Sequence, residues 1–240
     1  MRSHVRFLSR YRQRFGLLLA ISMAALAGCS QVPVKAPAML AALPPLITKG
    51  AIHYTIEPDR TNVRFLVYRA GPLAAFGHNH VIRAGAVHGD IYLNRRFPLS
   101  GFEFALPVDE FRVDEPAARA AEGSDFAEQP SPQAISGTTR NMLGPGVLDA
   151  ARYPEVSVRS VAVDGSLDNP TATIRITLHG VQRDITVPLA LKVSGRQLTA
   201  DGRFAIKQSD FGITPFSILG GGLQVADTVK VEFHIAAVAD

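Results

Sequence analysis

Over most of the chain, apolar and polar residues alternate with a period of two. In Ile185-Thr-Val187-Pro-Leu189-Ala-Leu191-Lys-Val193 every second side chain is branched or large. The same rhythm runs through Val63, Phe65 and Val67, through Phe102, Phe104 and Leu106, and through Ile174, Ile176 and Leu178. It returns in Val229, Val231, Phe233 and Ile235, and in Leu198, Phe204 and Ile206 around Ala200 and Gly202. Alternation of this kind marks strands that bury one face. Strands covered on both faces read instead as unbroken apolar runs, so the pattern predicts antiparallel pairing with one wet face. Pro188 inside such a pattern predicts an edge or a bulge.

Helical signals are confined to the middle of the chain. Ala117-Ala-Arg-Ala-Ala-Glu122 is short and helix-prone, and Ser131-Pro132 supplies an N-cap followed by a first-turn proline. A helix from there runs to about Met142, where Gly144-Pro145-Gly146 stops it. Val147 to Ala150 can add one more turn before Tyr153-Pro154. The elements add up to an all-β protein of about eight strands with a short helical insertion. That number suits an antiparallel eight-stranded β-barrel whose interior holds side chains or one small ligand.

The N-terminus follows different rules. Arg2, Arg6, Arg10, Arg12 and Arg14 precede a short apolar run from Phe15 to Leu26, and that run is too brief to span a bilayer permanently. It ends in Leu26-Ala27-Gly28-Cys29, which resembles a bacterial lipobox, so residues 1–28 are expected to be a lipoprotein signal peptide and Cys29 the acylated mature N-terminus. Cys29 is the only cysteine, which excludes a disulfide framework. Ser30 follows it in place of aspartate, and in lipoproteins of this type that implies release to the outer membrane. Residues 29–50, with four prolines after Cys29, read as an extended tether, and residues 51–240 as the barrel domain.

Composition changes the picture in one respect. The 240 residues carry a formal charge of +4, but none of the 21 acids lies in the first 28 residues, whereas five of the 25 bases do. The remainder holds 20 bases against 21 acids, without the basic excess that a nucleic-acid surface needs.

Familiar catalytic signatures are mostly missing: there is no G-x-S-x-G elbow, P-loop or dinucleotide fingerprint. Gly220-Gly221-Gly222 precedes a strand and reads as a rim loop. Phe76-Gly77-His78-Asn79-His80 is the one cluster with chemistry in it. On a strand, His78 and His80 share a face, at a spacing that suits a metal or a ligand head group. Gly77 is expected to allow an unusual backbone angle, and Phe76 to anchor the preceding turn in the core. His88 has the same parity, but an unbroken strand would carry it roughly 26 Å from His80 at about 3.3 Å per residue. Only a turn at Ala84-Gly85 would bring it back as a third metal ligand. Phe204, Phe211 and Phe216 suit a core or the wall of an apolar cavity. Asp109, Glu110, Asp114 and Glu115 read as a solvated loop, because no partner is spaced to perturb them. His53, His179 and His234 stand alone.

Four segments in order resemble the YceI-like family of lipid- and polyisoprenoid-binding proteins. They are Tyr54-Thr-Ile-Glu-Pro-Asp-Arg-Thr-Asn-Val-Arg-Phe65, then Asn141-Met-Leu with Val147-Leu-Asp-Ala-Ala-Arg-Tyr153-Pro-Glu-Val, then Leu178-His-Gly-Val-Gln-Arg-Asp-Ile-Thr-Val187, and Lys207-Gln-Ser-Asp-Phe-Gly-Ile213. In the last, Lys207 and Gln208 depart from the arginine usual in the family. His78-Asn79-His80 also departs, falling where many members carry a plain Gly-and-Phe strand. The resemblance spans about residues 52–237 and implies a lipocalin-like barrel that holds an isoprenoid, quinone or fatty chain, with no catalytic residue and no obligatory cofactor.

The expectation is therefore a binding module, anchored to the membrane on the periplasmic side of a bacterial envelope by its N-terminal acyl group and carrying one apolar ligand. Phe76, His78, His80, Phe204, Phe211 and Phe216 are its candidate ligand contacts. The alternative is a metal-dependent enzyme or metal-handling protein built on His78 and His80, with His88 as third ligand.

Overall fold

The computed structural model describes residues 41–240, so the N-terminal apolar run and Cys29 lie outside the described residues. Twelve strands follow: β1 (Ala51–Ile56), β2 (Asn62–Ala70), β3 (His80–Arg83), β4 (His88–Asn94), β5 (Gly101–Pro107) and β6 (Arg112–Val113). After the helices α1 (Pro116–Ala120) and α2 (Pro132–Leu143) come β7 (Glu155–Ser166), β8 (Asn169–Leu178), β9 (Val181–Ser194), β10 (Gln197–Lys207), β11 (Ser217–Ile218) and β12 (Leu223–Ala239). All pairings are antiparallel. Eight strands close a ring in the order β1, β4, β5, β7, β8, β9, β10, β12, with β12 returning to β1. The fold is the closed eight-stranded antiparallel barrel that the alternation predicts.

The ring is not uniform. From β7 to β10 the strands are long and joined by two-residue turns. His179 and Gly180 take φ of +52° and +73°, the two left-handed positions that suit a tight turn between right-twisted strands. Gly180 is doubly required, since a Cβ there would meet the Tyr153 ring at 2.6 Å. On the other side, three wall strands are broken. The long β12 borders β2 through Val231–Phe65 and Phe233–Val63, and then β1 through Ala237–Ile56. β1 and β2 are thus one wall strand interrupted near Pro58. β3 pairs antiparallel with β2 and β4 with β1, so the chain keeps its direction through residues 84–87. β5 and β6 repeat the arrangement against β4 and β3.

Pro188 lies within the closed ring rather than at a sheet edge, but it marks a local end of pairing. The β9–β10 ladder stops at Leu189–Gly202, the next residue along. A residue without an N–H is tolerated there because the neighbouring strand is already parting.

The helices obey their sequence signals. Ser131 accepts a hydrogen bond at Oγ from the Ala134 N–H (3.2 Å), Pro132 opens α2, and Gly144 closes it. Residues 41–50 hold no helix or strand, but they are docked on the barrel. Arg159 donates to the Pro44 carbonyl (2.6 Å) and Arg175 to that of Ala41. Glu103, Arg159, Arg175 and Asp184 face one another in register across β5, β7, β8 and β9, forming a charged row on the wall that receives this segment. The Leu46 side chain lies over Gly101, where a Cβ would meet it at 2.8 Å.

Candidate functional site

The inward faces of the strands do not meet. They enclose a cavity of about 430 Å³, lined in large part by the alternating residues: Val63, Phe65 and Val67; Phe102, Phe104 and Leu106; Ile174, Ile176 and Leu178; Val229, Val231, Phe233 and Ile235. Leu198, Ala200, Phe204 and Ile206 complete the wall from β10. The size lies in the range of small-molecule sites, and the lining is their usual one, apolar with a few placed polar groups. At one end, Thr138, Asn141 and Met142 of α2 reach the cavity, as do His78, His80 and Gln208.

His80 is built in from several directions. Its Nδ1 lies 2.6 Å from an Asp114 carboxylate oxygen, and Asp114 is 1% exposed. The other carboxylate oxygen accepts from the Val81 N–H (3.0 Å) and from Arg119 Nη1 (2.5 Å), and Arg119 is also buried. The Asp114 N–H bonds back to the Val81 carbonyl (2.8 Å), which clamps β3 to residue 114 on two sides. Asp114 takes φ of +55°, outside the usual range for a residue with a side chain, and this conformation places its carboxylate under His80. Arg119 further donates to the Asn79 carbonyl (2.7 Å) and to that of Glu128. Burial pushes the Asp114 carboxyl up, but the bonds from His80, Val81 and Arg119 outweigh it and hold the group below the ordinary carboxylate range.

Asn79 is the spacer of the motif. Its side chain accepts from the Arg69 N–H (3.0 Å) and donates to the Asp125 carbonyl (2.9 Å), tying the end of β2 to the turn after α1. His78 and His80 flank it with ring centres 6.4 Å apart, and His78 Nε2 lies 3.3 Å from Glu128. Both histidines line the cavity.

The YceI-like domain model matches residues 54–237. The chain belongs to the YceI-like family. BcnA from Burkholderia cenocepacia superposes with a TM-score of 0.57 at 17% identity, over 76% of this chain and 99% of that one. The Campylobacter jejuni YceI protein matches 66% of this chain and 84% of its own at 12% identity, with a TM-score of 0.47. No curated protein sequence matches significantly. The YceI-like fold is a barrel-type binding fold.

Within this YceI-like barrel the sequence-derived candidates separate. Phe204 and Phe216 line the cavity, and Phe204 packs edge-on to Phe233. Phe211 does not line it; at 1% exposure it is packed core, in the 3-10 turn Gln208–Phe211. Phe76 borders the mouth but is 80% exposed, so it does not anchor its turn. The turn is held by backbone instead: the Leu73 N–H bonds to the Gly222 carbonyl (2.8 Å), joining this loop to the Gly220–Gly222 loop at the rim. Gly77 is extended, at φ −107°; a glycine sits there because a Cβ would meet Leu223 at 2.7 Å.

His88 does not return to the pair. It is exposed at the start of β4, opposite Ala105, because the chain runs on past Ala84-Gly85 without reversing. Among the described residues no three His, Cys, Asp or Glu side chains gather in a metal-holding group. His53, His179 and His234 find other partners: Asp90 and Asp240 for His53, Tyr153 for His179, and Asp201 for His234. The solvated-loop reading of residues 109–115 fails at Asp114 and at Glu115, which pairs with Arg83 (2.6 Å). Asp114 and Arg119 are the site residues that sequence reasoning missed. Pro116 at the first turn of α1, between them, is the only local sign that the segment is ordered.

Proposed function

We propose that this protein holds one long-chain apolar ligand, an isoprenoid, quinone or fatty chain, with its tail in the barrel and its head at the His78–His80 end. The observation that carries the reading is an apolar cavity running between the strands of a closed barrel, with most of its polar groups collected where α2 and β3 meet it. Each tail methylene removed from water contributes about 0.8 kcal/mol, so a chain of this kind binds without any covalent or metal contact. The lipobox-like Leu26-Ala27-Gly28-Cys29 supports acylation of Cys29 and attachment to the periplasmic face of the envelope, with Ser30 favouring the outer membrane.

Ala200 lines the cavity wall, and Ala200→Phe would place a ring inside the space that the tail needs. The variant is expected to fold as wild type by circular dichroism and to lose most of its affinity for a fluorescent long-chain alcohol. Undiminished affinity would place the probe outside the barrel and contradict the reading. In cells, a palmitate analogue should label the wild-type chain and not Cys29→Ser; equal labelling would exclude the anchor.

A further inference from the structure

Resting on the binding reading above and narrowing its ligand classes, we infer that the His80–Asp114 pair makes this barrel selective for a hydroxyl head group, as on an isoprenoid or fatty alcohol, over heads that can only accept a hydrogen bond, such as a quinone or a fatty carboxylate. The Asp114 carboxylate has a partner on each oxygen: Arg119 and the Val81 N–H on one, His80 Nδ1 on the other. An ionised carboxylate has no proton to give, so the hydrogen in the His80 contact sits on Nδ1. Arg119 already balances the Asp114 charge, so the carboxylate needs no second cation, and in the neutral ring Nε2 is a bare acceptor. His80 borders the cavity, and Nε2 has no hydrogen-bond partner among the described residues.

An acceptor at the polar end of an apolar cavity sorts ligands by what they donate. An alcohol O–H completes the bond to Nε2. An ether or carbonyl oxygen of the same shape faces the lone pair with a lone pair of its own and gains nothing. The network behind the ring fixes this sense. Asp114 is clamped to Val81 by two hydrogen bonds, and Arg119 is held by the Asn79 and Glu128 carbonyls, so the carboxylate cannot swing away and free Nδ1. Asp114 thus acts as a positioning residue, setting which ring nitrogen carries the proton without touching the ligand.

The test compares hexadecanol with hexadecyl methyl ether, which share a chain and differ in the head proton. On the full-length protein the alcohol should bind several-fold and up to about tenfold tighter, the span of one ordinary hydrogen bond at about 1.4 kcal/mol per tenfold. In His80→Phe, which keeps an aromatic ring and removes both nitrogens, that ratio should fall to one. Because this variant leaves an Asp114 oxygen without its partner, a second readout uses the wild type alone. Nitrogen NMR of His80 should show a protonated Nδ1 and a bare Nε2, with the Nε2 signal moving on addition of the alcohol and not of the ether. Equal affinities in the wild type, or a proton on Nε2 at neutral pH, would overturn the head-group inference while leaving the binding reading intact. Failure of both probes to bind would overturn the two together.

Discussion

The two sides of the barrel are built differently, and the difference separates container from recognition. From β7 to β10, long strands joined by two-residue turns carry their large side chains at every second position, and these become the cavity wall. The charged row Arg159–Arg175–Asp184, joined by Glu103 from the neighbouring β5, lies on the outside of this side. On the other side β1/β2, β3/β4 and β5/β6 are broken strands, and polar groups enter at the outer ends of the short pieces β3 and β6. His80 opens β3, and Asp114 directly follows β6. An unbroken strand presents one kind of surface inward along its length; an interrupted one can place a charged pair at a chosen depth. On the proposed reading, the continuous side sets the volume of the ligand and the interrupted side its head-group chemistry.

Breaking each side's ion pair should expose the asymmetry most strongly. Asp114→Ala leaves Arg119 buried without its carboxylate, and breaking a buried pair in this way costs about 3–5 kcal/mol. Arg175→Ala removes a pair whose Asp184 side chain is 31% exposed, together with the contact to Ala41, for about 1 kcal/mol or less. Urea denaturation of the two variants measures the gap. Equal losses would mean that the network behind His80 is no more structural than the outer row.

Acid should sharpen the same contrast. The folded-state pKa of Asp114 is depressed, so its contribution to stability is fully present above the unfolded value of about 4 and is lost as pH falls through the lower folded value. Stability measured against Asp114→Asn should therefore show a large gap at neutral pH that narrows below about pH 4. A gap independent of pH would show that the carboxylate is not ionised in the folded protein. Asp184 is depressed by Arg175 in the same direction, but with part of its side chain in water the corresponding gap should be smaller.

The two sides also differ in how far the sequence discloses them. On the continuous side each alternating run carries local information: Ile174, Ile176 and Leu178 all face the cavity because side-chain direction repeats every two residues. The hairpin at His179-Gly180 and the cap at Ser131 are equally local. On the interrupted side the decisive contacts span the chain. His80 and Asp114 are 34 residues apart, and no spacing rule links them. For that reason His78 and His80 were legible as candidates while Asp114, the partner of His80, read as a solvated loop. For the same reason Phe76, expected to anchor its turn in the core, meets solvent at the cavity's edge, and Phe211, legible only as core or cavity wall, is core. Whether an isolated phenylalanine meets solvent or core depends on loops whose packing is set by contacts such as that of Leu73 with Gly222.

The central claim is that the space between the strands is a ligand site rather than a packing defect. Native mass spectrometry of the protein extracted gently from its own membranes tests this most directly. A population carrying one long-chain molecule per chain is expected, released on activation as a single lipid-like species and absent from Ala200→Phe prepared in parallel. Repeated recovery of ligand-free wild-type protein, or the same adduct on Ala200→Phe, would contradict it.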